Sequence, residues 1–334
     1  MPLRAFARAA LAGVLVLVLA VAAPAQAREP RLTVAKRTLD AALHCTTGID
    51  NATRTPVMLV TGTGASGAEA YAIGKPALDA YGAPVCFVDF PHFTTADMQV
   101  SVQYLVNGLR VMSRRAKRRV AVVGISQGGL LPRIALTYWP SLRAKVSDVV
   151  AAAGTQHGTT VGRGACKQSP AGCIPAAWQQ QAGSRFLRAL NARPDETPGP
   201  TACTTVRSAT DETVQPQTGP HPTSALKGAT NVLIQDVCPG RQVSHIGTVL
   251  DSVTLALVAD AIAHAGPAKV SRLPADVCAQ PYGPGLDPAA TDALLQAAGG
   301  LTAGRFAGQP KVRREPKLRS WVTRRPAGTR AASA

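Results

Sequence analysis

The chain has 334 residues, of which 46% are hydrophobic and 16% are charged, so it can bury a large core without being apolar throughout. Its 36 Lys and Arg residues against 19 Asp and Glu residues give a formal net charge of +17, a balance that attracts nucleic acids and anionic surfaces. Single-strand binding also needs aromatic stacking platforms, yet aromatic residues make up only 4% of the chain and, apart from Trp321, do not lie among the basic clusters. We therefore expect no nucleic-acid partner, and we expect the basic residues to form a solvated surface or to hold the chain to an anionic cell envelope.

The first 27 residues have the three parts of a secretory signal peptide. Arg4 and Arg8 supply a positive start, residues 10–23 form an apolar run, and Ala25-Gln26-Ala27 is a small-x-small cleavage site. The apolar run is shorter than the ~20 residues that span a bilayer, and no later segment is long and apolar enough to do so. We expect cleavage after Ala27, export of the mature chain, and no transmembrane segment in it.

Short runs of β-branched residues predict strands over residues 57–60, 85–88, 120–123, 146–153 and 231–237. These runs lack polar alternation, which is typical of a sheet covered by helices on both faces. Apolar residues at helical spacing predict helices over residues 97–112, 127–138, 247–264 and 287–298. The pattern predicts an α/β fold with a mostly parallel sheet, in which residues 28–308 form one domain.

Three segments do not fit the alternation of strands and helices. Residues 154–175 are rich in Gly, Thr and Cys, and residues 193–202 are rich in Pro and acidic residues, so both are interpreted as inserted loops. The segment past Gly308 is basic and poor in apolar residues. We expect residues 309–334 to form a disordered tail.

Gly124-Ile125-Ser126-Gln127-Gly128 stands where the 120–123 strand meets the 127–138 helix. A nucleophile elbow needs this setting, because the turn is too tight for side chains beside the serine and the helix start directs free backbone N–H groups at it. A serine hydroxyl is a weak nucleophile unless a histidine takes its proton and a carboxylate orients that histidine. We therefore predict that Ser126 is the nucleophile of an acyl-transfer reaction.

His245 is the predicted base, since the acid and then the histidine follow the serine along the chain in this arrangement. It lies between the 231–237 strand and the 247–264 helix. The other histidines precede the serine, follow it too closely to leave an acid between, or lie in a proline loop or at a helix end: His44, His92, His157, His221 and His264.

Asp211 is the predicted acid, because it opens a loop after a strand-like stretch, and Glu212 is the alternative. The remaining carboxylates between the serine and the histidine follow the serine too closely, lie in the 193–202 loop, or lie inside the 231–237 strand: Asp148, Asp195, Glu196 and Asp236. The three candidate residues are too far apart in sequence to form a site unless the fold brings them together.

Several segments resemble the secreted lipases of the Candida antarctica lipase B family, including its bacterial members: residues 62–64, 100–107, 126–129, 139–146 and 208–217. The similarity runs from about residue 42 to residue 281. It implies an α/β-hydrolase catalytic domain that cleaves carboxylic esters through Ser126, Asp211 and His245, without a cofactor.

The resemblance also implies where the substrate binds. The family's oxyanion hole falls on Thr63, through its backbone and hydroxyl, and on the backbone N–H of Gln127. The substrate pocket falls on Ile125, Thr155 and Gln180. Ile125 stands where the family's yeast member has a tryptophan on the alcohol side of its pocket. We therefore expect a roomier alcohol pocket in this chain.

The chain has seven cysteines, so at least one is free or pairs between chains. No C-x-x-C pair and no zinc-like spacing of Cys and His is present, and we expect no metal. The resemblance implies the disulfides Cys45–Cys86 and Cys238–Cys278. Cys166 and Cys173 could close a small loop and leave Cys203 unpaired, or Cys203 could pair with one of them. The family's last disulfide has no counterpart, because no cysteine follows Cys278.

We expect a secreted, monomeric triacylglycerol lipase or carboxylesterase that acts through an acyl-enzyme on lipid or ester substrates, including substrates at a lipid–water interface. The alternative is an acyltransferase or polyester hydrolase with the same triad, and a third hypothesis is an envelope-binding protein with a vestigial site. The basic run at residues 114–119 lies before the 120–123 strand, roughly 17 Å from Ser126. We expect it on the back of the molecule, as a solvated or envelope-binding face.

Overall fold

A computed structural model describes residues 29–324, and the predicted signal peptide at residues 1–27 lies outside the described residues. Seven strands form one sheet in the order β1-β3-β2-β4-β5-β6-β7. The strands are β1 Leu43–Cys45, β2 Val57–Val60, β3 Val85–Val88, β4 Val120–Ile125, β5 Val146–Ala152, β6 Ala202–Arg207 and β7 Thr230–Leu233. The pairing of β1 with β3 is antiparallel and every other pairing is parallel, so the predicted α/β architecture is confirmed.

The helices connect the strands and cover both faces of the sheet. They are α1 Lys36–Ala41, α2 Gly67–Tyr81, α3 Met98–Ala116, α4 Gln127–Tyr138, α5 Ala165–Gln168, α6 Pro175–Gln180, α7 Arg185–Asn191, α8 Ile234–Val237, α9 Gly247–Leu250, α10 Ser252–Ala263, α11 Pro288–Gly308 and α12 Ser320–Thr323. In the part of the chain that the structure describes, no helix is long and apolar enough to cross a membrane.

The hydrophobic core has two parts, one on each side of the sheet. Consecutive residues of β4 point to opposite faces, so Val122 belongs to one cluster and Val123 to the other. Leu105 of α3 and Ile134 of α4 pack in the first cluster, and Val258 of α10 packs in the second. Because both faces are covered, the unbroken apolar runs of the central strands are accounted for.

The last predicted strand is wrong at its carboxyl end. The strand was predicted over residues 231–237, but β7 ends at Leu233 and α8 follows at once, so Asp236 lies in a helix. The side chain of Gln235 in α8 accepts a hydrogen bond from the N–H of Ala209 and donates to the carbonyl of Arg241. These bonds to two loops compete with continued pairing at the edge of the sheet, and apolar composition alone does not reveal them.

The helix predicted over residues 247–264 is two helices, because the chain turns at Asp251 between α9 and α10. The carboxylate of Asp251 caps α10 by accepting the N–H of Val253 at 2.9 Å, and it pairs with Arg241 at 3.2 Å. The helix predicted over residues 287–298 continues to Gly308 as α11. An aspartate inside an apolar helical pattern is therefore better interpreted here as a helix start.

The prediction that the tail is disordered past Gly308 is wrong for residues 309–324. Trp321 is 9% exposed, and its ring centroid lies 4.7 Å from that of Tyr138 and 5.1 Å from that of Trp139. On its other side, Trp139 donates from Nε1 to the carbonyl of Pro30 at 2.9 Å. Burial of Trp321 therefore helps to order this basic segment, together with the hydrogen bonds that the Glu315 carboxylate accepts from the N–H groups of Arg185 and Phe186.

Three disulfides join Cys45 to Cys86, Cys166 to Cys173, and Cys238 to Cys278. Cys203 lies in β6 as a free, buried thiol, so it does not take either of the alternative pairings. Burial raises the pKa of this thiol to about 12. The thiol therefore stays protonated and unreactive at neutral pH.

The basic run at residues 114–119 is partly used for internal contacts. Arg115 forms a bidentate pair with Asp50, with both N–O distances at 2.8 Å. Arg118 donates to the carbonyl of Ala52 at 3.0 Å, and Arg119 donates to that of Val146 at 2.6 Å. These bonds tie the loop before β4 to its neighbours, so three of the run's positive charges have structural partners.

Candidate active site

Ser126 occupies a sharp turn between β4 and α4, with φ 57° and ψ −123°. Residues other than glycine seldom adopt a positive φ, and such strain concentrates at functional sites. The turn also explains both flanking glycines. A Cβ on Gly124 would lie 2.1 Å from the carbonyl oxygen of Gly128, and a Cβ on Gly128 would lie 2.1 Å from that of Val60. The backbone therefore closes so tightly around Ser126 that neither Gly124 nor Gly128 can carry a side chain.

His245 is held by a buried carboxylate. Its Nδ1 lies 2.9 Å from Oδ2 of Asp211, which is only 2% exposed. The other oxygen, Oδ1, accepts the backbone N–H groups of Thr213 and Val214, both at 2.8 Å. These bonds fix the carboxylate, which in turn fixes the imidazole so that Nε2 is the free ring nitrogen.

Glu212, the alternative acid, does not contact the imidazole ring. Its Oε2 instead accepts the backbone N–H of His245 at 2.9 Å. The two neighbouring carboxylates therefore have different partners on the same histidine. Asp211 contacts the side chain, and Glu212 contacts the main chain.

Ser126 and His245 both line one large cavity. Within residues 29–324, the hydroxyl of Ser126 makes no hydrogen bond, and the Nε2 of His245 also has none. Hydrogen bonds between a nucleophile and its base are often long in a free enzyme and tighten when substrate binds. The arrangement brings the three residues to one place, with serine and histidine open to the same space.

The loop after β2 lies directly against the nucleophile. A Cβ on Gly62 would be 3.1 Å from the Cβ of Ser126, and the hydroxyl of Thr63 donates to Oε1 of Gln127 at 2.7 Å. In the described part of the chain, neither the backbone N–H of Thr63 nor that of Gln127 has an acceptor. Two free backbone donors and a hydroxyl beside a serine are the groups that can stabilise a developing oxyanion.

The cavity has a volume of about 850 Å³, within the range of small-molecule sites. Ile125, Thr155 and Gln180, the three residues expected in the substrate pocket, all lie on its wall. Core side chains also form part of the wall, including Leu78 of α2 and Val258 of α10. An apolar channel therefore leads from the serine into the space between the sheet and its helices.

One side of the cavity is formed by α11, which the sequence did not connect with the site. Leu295, Thr302 and Phe306 of this helix line the cavity. Arg305 anchors it by bonding to the carboxylate of Glu69 and to the carbonyl of Gly64, the latter at 2.9 Å. The sequence did contain a signal for this position of α11, because a helix with little polar face must cover an apolar surface.

The Arg305–Glu69 pair joins α11 to α2 at the cavity. Hydrogen bonds from Arg305 lower the pKa of Glu69 to about 2, against the opposing effect of burial and with help from Ser66. The guanidinium of Arg305 also lies 4.7 Å from the ring centroid of Phe93. Glu69 is therefore ionised at neutral pH and holds α11 to the start of α2.

His157, which the sequence order rejected as the base, belongs to a separate polar cluster. Its ring nitrogens contact Oε1 of Glu196 at 2.9 Å and the carbonyl of Thr223 at 3.1 Å. Burial would raise the pKa of Glu196, but the bond from His157, the N–H of Lys227 and the charge of Arg133 lower it to about 2. This cluster anchors the loop at residues 193–202 and does not line the large cavity.

Comparisons with known proteins give two informative relatives. No family model matches the chain. Its sequence is 34% identical over 227 residues to lipase B from Pseudozyma antarctica, which covers 66% of this chain and 65% of that protein, slightly less than two thirds of its length. Its structure is similar to the crystal structure of lipase B from Aspergillus fumigatus, with a TM-score of 0.78 and 30% identity over 88% of this chain and 73% of that one.

Proposed function

The chain belongs to the lipase B family of α/β-hydrolases, and from this we propose that it is a serine hydrolase of carboxylic esters, of the triacylglycerol lipase or carboxylesterase type. The observation that carries the proposal is the buried Asp211–His245 pair, which shares one cavity with a strained serine. The geometry matches the roles of a catalytic triad, in the order along the chain that this fold uses.

In the proposed reaction, Oγ of Ser126 attacks the ester carbonyl carbon, and Nε2 of His245 takes the proton of the Ser126 hydroxyl at the same time. The carbonyl π electrons move to oxygen, and the resulting oxyanion accepts hydrogen bonds from Thr63 and Gln127. The bond to the alcohol oxygen then breaks, and the alcohol leaves with the proton from His245. Water repeats the sequence on the acyl-serine, which releases the acid and restores the enzyme. Asp211 stays ionised and stabilises the imidazolium.

The surface around the cavity supports a lipid substrate. Phe93, Val161 and Leu301 are three of the large hydrophobic residues that the described part of the chain exposes, at 41%, 45% and 58%. Val161 lines the cavity, Phe93 lies under Arg305, and Leu301 lies on α11. Apolar side chains exposed beside an apolar cavity favour a substrate that arrives from a lipid–water interface.

The proposal is tested by comparing the wild type with Ser126→Ala on emulsified long-chain triglyceride and on soluble short-chain esters. We expect the wild type to hydrolyse both and the variant to lose both activities. Ser271→Ala, at an exposed serine away from the cavity, is the matched control and should behave as the wild type. Activity on short esters alone would reduce the proposal to a carboxylesterase, and unchanged activity in Ser126→Ala would refute the mechanism.

We also propose that the alcohol part of the ester enters the channel that Ile125 lines. A tryptophan there would fill part of that channel, so Ile125→Trp should slow the hydrolysis of bulky secondary alcohol esters more than that of small ones. Ile125→Leu, which conserves side-chain volume, is the control. Unchanged relative rates on the two ester classes in Ile125→Trp would exclude this site for the alcohol.

We propose that the mature chain is exported and acts outside the cell as a monomer. Arg114 and Lys117 are the exposed residues of the basic run for which no structural partner was described above, and they support a weak attachment to an anionic envelope. Attachment of this kind is screened by salt. Raised ionic strength should release the protein from isolated cell walls, and release that does not depend on salt would rule out this attachment.

A further inference from the structure

Gln180, the last residue of α6, is 7% exposed and reaches from the cavity wall to the loop beside the nucleophile. Its Nε2 lies 2.9 Å from Oγ1 of Thr63 and 3.1 Å from Oε1 of Gln127. Thr63 and Gln127 are the two residues proposed to bind the oxyanion. Gln180 therefore contacts both residues of the proposed oxyanion hole and also lines the cavity where substrate would bind.

The orientation of the Gln180 amide follows from its other contacts. The carbonyl of Ala176 lies 3.3 Å from Nε2, and a carbonyl can only accept, so the nitrogen belongs on that side. On the opposite side, the hydroxyl of Thr155 donates to Oε1 at 3.0 Å. The amide nitrogen thus faces three acceptors, and its two N–H groups are shared among them, with the Thr63 hydroxyl oxygen the nearest at 2.9 Å.

This orientation determines what the Thr63 hydroxyl can do. A hydroxyl has one proton and two acceptor sites. Because Gln180 donates to the Thr63 oxygen, the proton must point elsewhere, and it points to Oε1 of Gln127 at 2.7 Å. Gln180 also donates to Oε1 of Gln127. This oxygen therefore still accepts a hydrogen bond after the Thr63 hydroxyl has rotated away from it.

We propose that Gln180 is a positioning residue that keeps the Thr63 hydroxyl a donor, ready to rotate from Gln127 Oε1 to the oxyanion. The inference rests on the proposed ester hydrolysis and deepens it. Without Gln180, the hydroxyl oxygen has no donor bound to it, and the hydroxyl loses its fixed orientation. The rate is then expected to fall in the step where negative charge forms, because pre-oriented donors act there.

A double-mutant cycle tests the coupling. Gln180→Met keeps the length of the side chain and removes its N–H groups. We expect it to lower kcat for a soluble short-chain ester about tenfold with little change in KM, less than the 10²–10³-fold that the loss of a whole oxyanion donor costs. In a Thr63→Val background, which has no hydroxyl, the same change should cost less than about twofold. In a Thr63→Ser background, which keeps the hydroxyl, the tenfold cost should return.

Gln168→Met is the matched control, because Gln168 is an exposed glutamine that does not line the cavity. It should leave kcat within about twofold of the wild type in either background. An equal cost of Gln180→Met with and without the Thr63 hydroxyl would overturn the inference, and so would no cost in either background. Both results would leave the proposed function intact, since that depends on the loss of activity in Ser126→Ala.

Discussion

At the scale of single residues, the sequence around Ser126 is sufficient to predict the tight turn that presents the proposed nucleophile. A strand, two glycines and a helix predict a tight turn, and the carbonyl oxygens that a Cβ would meet account for both glycines. The order of Asp211 and His245 along the chain is equally readable. The bond from Gln180 to Thr63 joins residues 117 positions apart, so only the folded chain reveals it.

The tight turn predicts a large cost for any side chain at Gly128. In Gly128→Ala, the new Cβ would lie 2.1 Å from the carbonyl oxygen of Val60 and 2.6 Å from that of Thr61. We expect a loss of about 3 kcal/mol in the free energy of unfolding, measured in denaturant, together with a loss of activity.

Gly300→Ala in α11 is the matched control, because no described atom outside the local helix backbone and the adjacent residues lies within 4 Å of the added Cβ. It should leave the unfolding free energy unchanged or raise it by about 0.5–1 kcal/mol, as an alanine does inside a helix. Similar losses in the two variants would contradict the steric argument for Gly128.

The two carboxylates near His245 should respond differently to neutralisation. Asp211→Asn keeps the shape of the side chain but removes the charge that holds the ring tautomer, and we expect kcat to fall about 10³- to 10⁴-fold. Glu212→Gln retains an oxygen that can accept the backbone N–H of His245, so its kcat should fall less than about tenfold. The reverse order of the two effects would make Glu212 the acid.

At the scale of elements, the apolar runs located the central strands and the helices beside them, because burial on both faces leaves a clear pattern. The pattern was misleading where a polar side chain controls the backbone, as Gln235 does in α8 and Asp251 does between α9 and α10. The role of α11 was also unpredicted, since its position over the cavity depends on a partner far away in sequence.

The anchor of α11 should weaken in acid. The pKa of Glu69 lies at about 2, below its ordinary value of 4.5, so the pair with Arg305 stabilises the fold fully above pH 4.5 and the contribution is lost as pH falls toward 2. Glu69→Gln should therefore lower the thermal midpoint at pH 6, and its difference from the wild type should close toward pH 2.

Asp79→Asn, which breaks the exposed pair with Lys75 on the surface of α2, is the control. Such exposed pairs contribute little, and the midpoint should change only slightly at pH 6. A Glu69→Gln difference that stayed constant down to pH 2 would show that the carboxylate charge does not hold α11.

At the scale of the whole molecule, the described tail is part of the fold, and the packing of Trp321 against Tyr138 and Trp139 is one of the contacts that hold it. Trp321→Ala should lower the free energy of unfolding by about 3 kcal/mol, measured in denaturant. Activity at low temperature should survive, since α4 separates these rings from Ser126 by its 12 residues, about 18 Å.

Leu301→Ala is the control for that change, because Leu301 is 58% exposed. Its effect on the unfolding free energy should stay within about 0.5 kcal/mol. An equally small effect of Trp321→Ala would show that the packing of this ring contributes nothing to stability.

Trp139 has a further consequence, because the carbonyl of Pro30 bonds to one side of it and the ring of Trp321 packs on another. The first and last described segments therefore meet at the end of α4 that is remote from the nucleophile. A tether added before Glu29 or after Arg324 would start from that end, so an immobilised enzyme should keep its cavity open to substrate. A short linker joining the two segments would likewise give a circularly permuted chain that can be opened in a surface loop elsewhere.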